Sequence, residues 1–403
     1  MKKLLVVILG LALIAACGTK TDETSNGNPN PGGTSSGGLT PNTGGSETPT
    51  PPPEVVTKKF AVVGATNYTD PIASVASISL DGAFTVTPAV AVTDGNDVAL
   101  KSYDGLVYVI NRFITSTVQV LDAKNNFAII ADYSVGAGSN PQDLIVTGGK
   151  AYISRLDAQN DAEDASDVLV INPSTGAKLG GFDLKGYMTD DGEKLPRAAK
   201  MLLVGKYLYV LCQDLTSGWM MATTSGKVIV IDTETDAVVK AIELNGRNPA
   251  DLVYSEDTGK IYISDTGTYD TSDSFGGIEV IDVTTNTTEG IKIDDAAFGG
   301  AISELELFGK NLAYTISSSL TLASFDPENL AIVKANIYTS PAFWGVSDIE
   351  LDGETVLLTE PNATSPGIVA INPDGAVLTG PLSVGAAPPV SIAIVEYDVE
   401  VAK

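Results

Sequence analysis

The sequence predicts an all-β protein: a seven-bladed β-propeller of four-stranded antiparallel blades, closed by one blade shared between N- and C-terminal strands. Three observations lead there. The stretch from Lys227 to Ser264, KVIVIDTETDAVVKAIELNGRNPADLVYSEDTGKIYIS, holds four short apolar runs rich in β-branched residues and separated by polar turns, the pattern of antiparallel sheet. The same unit recurs along the chain. Residues 59–400, shared among seven units, give about 49 residues each, close to the period of a four-stranded blade.

The units follow in order from two marks, an Asp-Leu-like strand start and a Tyr-Ile/Val strand after a Gly-containing turn. The first starts at Asp97-Val98, turns at Asp104-Gly105 and continues with Tyr108-Val109-Ile110 and Val118 to Asp122. The second has Asp143-Leu144, Gly148-Gly149, Tyr152-Ile153-Ser154 and Val168 to Asn172. The third has Met201-Leu202-Leu203, Tyr209-Val210-Leu211 and the Val228 run. The fourth has Asp251-Leu252, Tyr262-Ile263 and Ile278 to Asp282. The fifth, more degenerate, has Leu305-Glu306-Leu307, Tyr314-Thr315-Ile316 and Leu320 to Asp326. The sixth has Asp348-Ile349, Val356-Leu357-Leu358 and Ile368 to Asn372. Val390 to Val395 reads as a first strand without successors. Phe60 to Val63 and Val75 to Leu80 read as successors without a first strand. Joined, they make the seventh unit and remove free sheet edges.

Within Val228 to Ser264, IDTETDAVV followed by NPADLVYSEDTGKIYIS resembles the YVTN-type β-propeller repeat family. The resemblance covers roughly residues 59–400 and is strongest in the second to fourth units. The fifth departs from it by lacking the Pro turn. It implies a seven-bladed propeller and little about activity, because propellers carry many functions.

The N-terminus supplies an address. Lys2 and Lys3 precede an apolar run, Leu4 to Leu13, that is too short for a typical membrane span. It ends in Ile14-Ala15-Ala16-Cys17, which resembles a bacterial lipobox. The resemblance implies a signal peptide at 1–16, diacylglycerol on Cys17 and stable anchoring by two or three acyl chains. Gly18, rather than Asp, favours the outer membrane of a diderm envelope. Residues 17–57 are rich in Gly, Ser, Thr, Asn and Pro; they read as a disordered tether ahead of a propeller at 58–400.

Composition excludes several classes. The formal net charge is -26, which argues against nucleic acid as a partner. There is no histidine, so Ser-His-Asp and Cys-His catalysis, histidine-ligated haem and the commonest zinc and copper sites are excluded. With Cys17 lipidated, Cys212 has no disulfide partner and reads as a buried small residue.

In a propeller blade, loops between strands one and two and between three and four lie on one face. Here these are short, as at Gly148-Gly149 and Pro173 to Gly176. The others are long, as at Arg155–Asp167, Cys212–Gly226, Asp265–Gly277 and Gly186–Arg197. The long-loop face is the expected binding face.

Candidate residues cluster there. Asp97, Asp143, Asp251 and Asp348 recur at strand-one starts. Either they accept backbone N–H bonds from the preceding loop, or they form a carboxylate ring that coordinates Ca²⁺. The acidic loops Asp157–Asp164, Asp190–Glu193 and Asp265–Asp273 have alternating oxygen donors but no EF-hand spacing. The four arginines, Arg112, Arg155, Arg197 and Arg247, all map to the loop face; each pairs with a neighbouring strand-start Asp or offers its fork to an anionic ligand or partner. Trp219 and Trp344 fall in loop-face segments with Phe113, Tyr187, Tyr269, Phe275, Phe298 and Phe343, as rim aromatics or as plugs onto the blades.

The resulting expectation is a lipid-anchored cell-envelope propeller, monomeric, with no catalytic residue and no cofactor assigned. It would bind a protein, a glycan or an anionic small ligand through the loop face. The alternative is a Ca-type hydrolase or lyase whose channel carboxylates activate water.

Overall fold

The computed structural model describes residues 54–401, save 190–194, 216–223, 269–274, 319 and 343–344. The chain forms seven four-stranded antiparallel sheets. The innermost strands are Val98–Tyr103, Pro141–Thr147, Ala198–Val204, Pro249–Ser255, Ile302–Phe308, Ile349–Asp352 and Pro389–Val401. Each packs beside the next, and the last packs against the first. The expected ring is therefore present, and the blades beginning with these strands are called first to seventh.

The seventh blade closes the ring as the sequence predicts. Pro389–Val401 is its inner strand, followed outward by Glu54–Ala65, Ser74–Ser79 and Val86–Val92. Glu54–Ala65 pairs with Pro389–Val401 along its whole length, while only Phe60 onward pairs with the third strand. Residues 54–59 and 396–401 thus project as a two-stranded ribbon from the short-turn end. The degenerate fifth unit is a full blade, with Ile302–Phe308, Leu312–Ser317, Thr321–Asp326 and Ala331–Thr339.

The repeat marks have physical causes. The Asp or Asn that ends the third strand folds its side chain over the following turn. Asp232 accepts from the N–H groups of Glu234 (3.0 Å) and Thr235 (3.1 Å), and Asp282 and Asp326 do the same. This is an Asx turn, so the "Ile-Asp" ending specifies where the chain reverses. The recurrent Tyr of the second strand is buried between blades. Its hydroxyl reaches the outer turn of the next blade: Tyr209 to Asn286 at 2.7 Å and Tyr262 to the Pro327 carbonyl at 2.7 Å.

The core is divided among the blade interfaces. Between the second and third blades, Tyr152, Val168 and Val170 face Met201, Leu208, Val210, Ile229 and Ile231, all buried. Cys212 belongs to this layer, fully buried, and burial pushes its thiol well above the usual range. Each blade is therefore apolar on both faces, and its neighbours supply the cover it cannot make alone. The inner strands are the exception, because one edge of each faces the channel and its N–H groups need partners.

Candidate binding site at the loop-face mouth

Those edge N–H groups explain the strand-start carboxylates. Asp143 accepts from Leu144 N–H in its own blade (2.8 Å) and from Met201 N–H in the next (2.7 Å). Asp251 does the same for Leu252 (2.9 Å) and Leu305 (2.9 Å). Asp348 does so for Ile349 (3.0 Å) and Ile392 (2.7 Å). One blade is left, and there the Ser391 hydroxyl accepts from Leu100 N–H at 3.1 Å. Three aspartates and one serine thereby cap the equivalent inner-strand N–H of all seven blades. The donors are strand-one N–H groups of the Asp's own and following blade, not of the preceding loop.

Asp97 does not belong to this ring. Val98 pairs with Asn111 and Ala99 with Ile110, whereas Asp143 pairs with Ser154. Ala99 is thus the counterpart of Asp143, and Asp97 lies two residues nearer the loop face. Turn length hides this offset in the sequence: the fourth blade's hairpin turn, between Ser255 and Lys260, is longer than the first blade's, between Tyr103 and Leu106, so Asp97 and Asp251 stand equally far from their second-strand Tyr. Among the described residues, no group of three or more acidic or cysteine side chains is arranged to hold a metal ion. The structure thus leaves Asp97 outside a ring whose other three carboxylates already accept backbone bonds.

Blades without an aspartate place other charges in the channel. Lys200 and Glu304 occupy the same register and pair at 3.1 Å. Lys101, one step further along its strand, pairs with Asp143 at 3.1 Å, and Glu306 and Glu350 lie in that second layer. Six carboxylates therefore share the channel with two lysines. Burial, partly offset by Lys200, pushes Asp251 up to about 7. Burial and then Asp348 push Glu350 up to about 8. Asp143 above all raises Lys101; for Lys200, burial pulls downward but Glu304, Asp251 and the other carboxylates outweigh it. The sequence signal for this cluster was the charge at the "Asp-Leu" register in units three and five.

The arginines are brought to one face but are not left open. Arg112 clasps Asp97 (Nη2–Oδ1 2.5 Å, Nε–Oδ1 2.9 Å) and reaches Gln142 at 3.5 Å. Arg155 is fully buried. It holds Asp161 (2.9 Å) and the carbonyls of Val135, Asp164 and Ser166, and so organises its own long loop. Arg197, also buried, pairs with Asp157 and with the Leu156 carbonyl across to the second blade. Arg247 lies over the Phe275 ring, 3.6 Å from its centroid, a cation–π contact. The carboxylate partners of Arg112, Arg155 and Arg197 are loop acids, Asp97 among them, and not the channel aspartates.

Among the aromatics, Phe113 and Tyr187 are exposed, Phe298 is buried and Phe275 supports Arg247. Trp219, Trp344, Tyr269 and Phe343 lie outside the described residues, as do Cys17 and the loop around Asp191.

On the arc of the fourth to sixth blades the mouth opens into a cavity of about 340 Å³. Gln213, Asn248, Thr266, Ser303, Ser317 and Ser318 line it together with Ile302, Ile316, Leu320 and Val346. No lining residue is charged. Thr266 is tied to the Ile302 carbonyl (2.9 Å), Gln213 to the Pro249 carbonyl (3.3 Å) and Ser317 to Thr321 (2.9 Å). Among the described residues, the side chains of Asn248, Ser303 and Ser318 have no hydrogen-bond partner. The rim is thus charged and engaged around Arg112, Arg155 and Arg197, whereas, among the described residues, the cavity beside the fourth to sixth blades is lined by uncharged groups, three of them without a partner.

No family model matches the chain, and neither does any curated protein. Solved structures do. A putative 6-phosphogluconolactonase from Bacteroides fragilis aligns at 15% identity with a TM-score of 0.58, over 84% of this chain and 98% of that one. A functionally unknown protein from Desulfotomaculum acetoxidans aligns at 10% identity with a TM-score of 0.55, over 83% and 98%. At such identities the likeness is one of fold.

Proposed function

We propose that the protein is a binding module of the cell envelope that takes an uncharged polar ligand at the loop-face mouth. The observation that carries this reading is the cavity wall: hydroxyl and amide groups, three of them unengaged, over an apolar floor. A charged ligand would meet no counter-charge in the lining. An uncharged one finds donors and acceptors at strand ends and in the loops beside them. The described lining carries no titratable side chain, which favours binding over turnover. Of the two readings the sequence left open for the arginines, partners of nearby aspartates or an anion site, the pairs with Asp97, Asp161 and Asp157 favour the first, as loop braces.

The envelope address rests on the N-terminal residues: a lipid anchor on Cys17, outer membrane favoured. The YVTN-type assignment likewise rests on the repeat residues.

Arrays of neutral saccharides and of peptides, probed with the full chain, test the reading. Binding of uncharged probes should fall at least tenfold in Asn248→Ala combined with Ser303→Ala. Equal binding by that variant, or a preference for charged probes, refutes it.

A further inference from the structure

Next to this cavity an acidic side chain lies wholly inside the protein wall. Asp265 is the last residue but one of the second strand of the fourth blade, Lys260–Thr266, next to Thr266 of the lining. It is fully buried, and neither carboxylate oxygen has a hydrogen-bond partner. Glu279, also fully buried, lies within hydrogen-bond reach on the neighbouring strand. Two ionised carboxylates cannot bond to each other; with one proton between them they can.

The surroundings decide which of the two holds the proton. Glu279 accepts from Asn245 N–H (3.0 Å), from Gly246 N–H (2.8 Å) and from the Thr288 hydroxyl. With the Glu279 oxygens taken up by these donors and both Asp265 oxygens without another partner, the shared proton is placed on Asp265. Gly246 packs so tightly on Asp265 that a Cβ there would fall inside the carboxyl group. Residues 244–248 are therefore held to the pair by two N–H bonds and by a contact only glycine permits. The same loop delivers Asn248 to the cavity.

We propose that a proton shared between Asp265 and Glu279 locks the 244–248 loop in place and so couples ligand binding at the loop-face cavity to pH. The ligand half rests on the binding reading above; the lock does not. The other charged groups around the pair are Arg247, stacked on Phe275, and Asp295, beside Gly276 near the Asp265 carbonyl. Lys227 stands on the adjoining blade, next to Gly226, and pairs with Glu243 at 3.9 Å. Burial first, and Glu279 second, hold Asp265 well above the ordinary carboxylate range. The sign follows. The closed loop is fully stabilised below about pH 4, and that stabilisation is lost as pH rises through the raised value. In between, the closed loop holds one proton more than the open one, so opening is favoured about tenfold per pH unit.

Amide hydrogen exchange at Asn245 and Gly246 in the full chain measures this directly, after correction for intrinsic exchange. The native protein should show the tenfold-per-unit rise in opening. Asp265→Asn, whose amide donates to Glu279 at any pH, should show none. Glu279→Gln, which removes the like charge, should show a reduced slope. A flat native profile, or a slope unchanged in both variants, overturns the proposal. So does protection that EGTA removes at constant pH, because a bound cation would then be the lock. If the lock behaves as stated but Asn248→Ala leaves probe binding intact, only the cavity reading fails.

Discussion

Replacing Asp143 by alanine tests the edge-capping account most sharply. The side chain is fully buried and serves two backbone N–H groups, Leu144 and Met201, at 2.8 and 2.7 Å. Both would be left facing the channel. A buried donor stripped of its partner costs about 1–3 kcal/mol, so the expected loss is about 2–6 kcal/mol, lower where channel water replaces the carboxylate. Lys101 also loses its partner, but its side chain is 38% exposed and adds little. Ser391→Ala frees one such N–H, that of Leu100, and should cost about half as much. Asp143→Asn keeps one acceptor and should fall between. Ala99→Asp places a carboxylate at the same register in the first blade, where both N–H groups in reach are already capped, and should not stabilise. Urea unfolding followed by circular dichroism gives all four values. A loss in Asp143→Ala no larger than in Ser391→Ala, or a gain in Ala99→Asp, would refute the reasoning.

Other outcomes follow from the same structure. Arg155→Met should destabilise by about 3–5 kcal/mol through the unpaired acids it leaves buried, while Arg112→Met, whose side chain is 29% exposed, should cost less; thermal melts compare the two. Tyr262→Phe should cost about 0.5–1.5 kcal/mol for the lost bond to the Pro327 carbonyl, read by urea unfolding. Because Asp251 and Glu350 are raised to about 7 and about 8, their contribution to stability is full below the ordinary carboxylate range and lost as pH rises through those values; the melting temperature should be higher near about pH 5 than near about pH 9. Calcium with an EGTA control should leave the melting temperature unchanged if the channel carboxylates serve only backbone, and a rise with calcium would restore the metal reading. Cys17→Ala should move the protein from the membrane to the soluble fraction; persistent membrane association would remove the anchor.

The fold was legible because each blade repeats its local chemistry. The Asx turn after Ile231-Asp232 and the Tyr262 hydroxyl on the next blade are satisfied within two neighbouring units, so they leave a sequence signature every time. The site was less legible. Asp97 looked like a ring aspartate because hairpin turns of different length leave it and Asp251 equally far from their second-strand Tyr. The arginines looked available because Asp161 and Asp157 meet Arg155 and Arg197 only through loop conformations with no repeat. Asp265 and Glu279 sit 14 positions apart on paired strands, and nothing in composition marks them as buried together. The cavity groups, Asn248, Ser303 and Ser318, are ordinary polar residues whose meaning comes from lacking a partner, and only geometry shows a lack.

The edge caps also make a statement about parity. Each aspartate serves two blades, so the natural period of this device is the blade pair. A ring of seven cannot be divided into pairs. One blade must be served by another means, and Ser391, in the blade that joins the two ends of the chain, takes that place. Growth of such a ring by duplicating single blades would put the pattern out of phase at the seam. Growth by pairs would keep it, and an eight-membered version could dispense with the serine for a fourth aspartate.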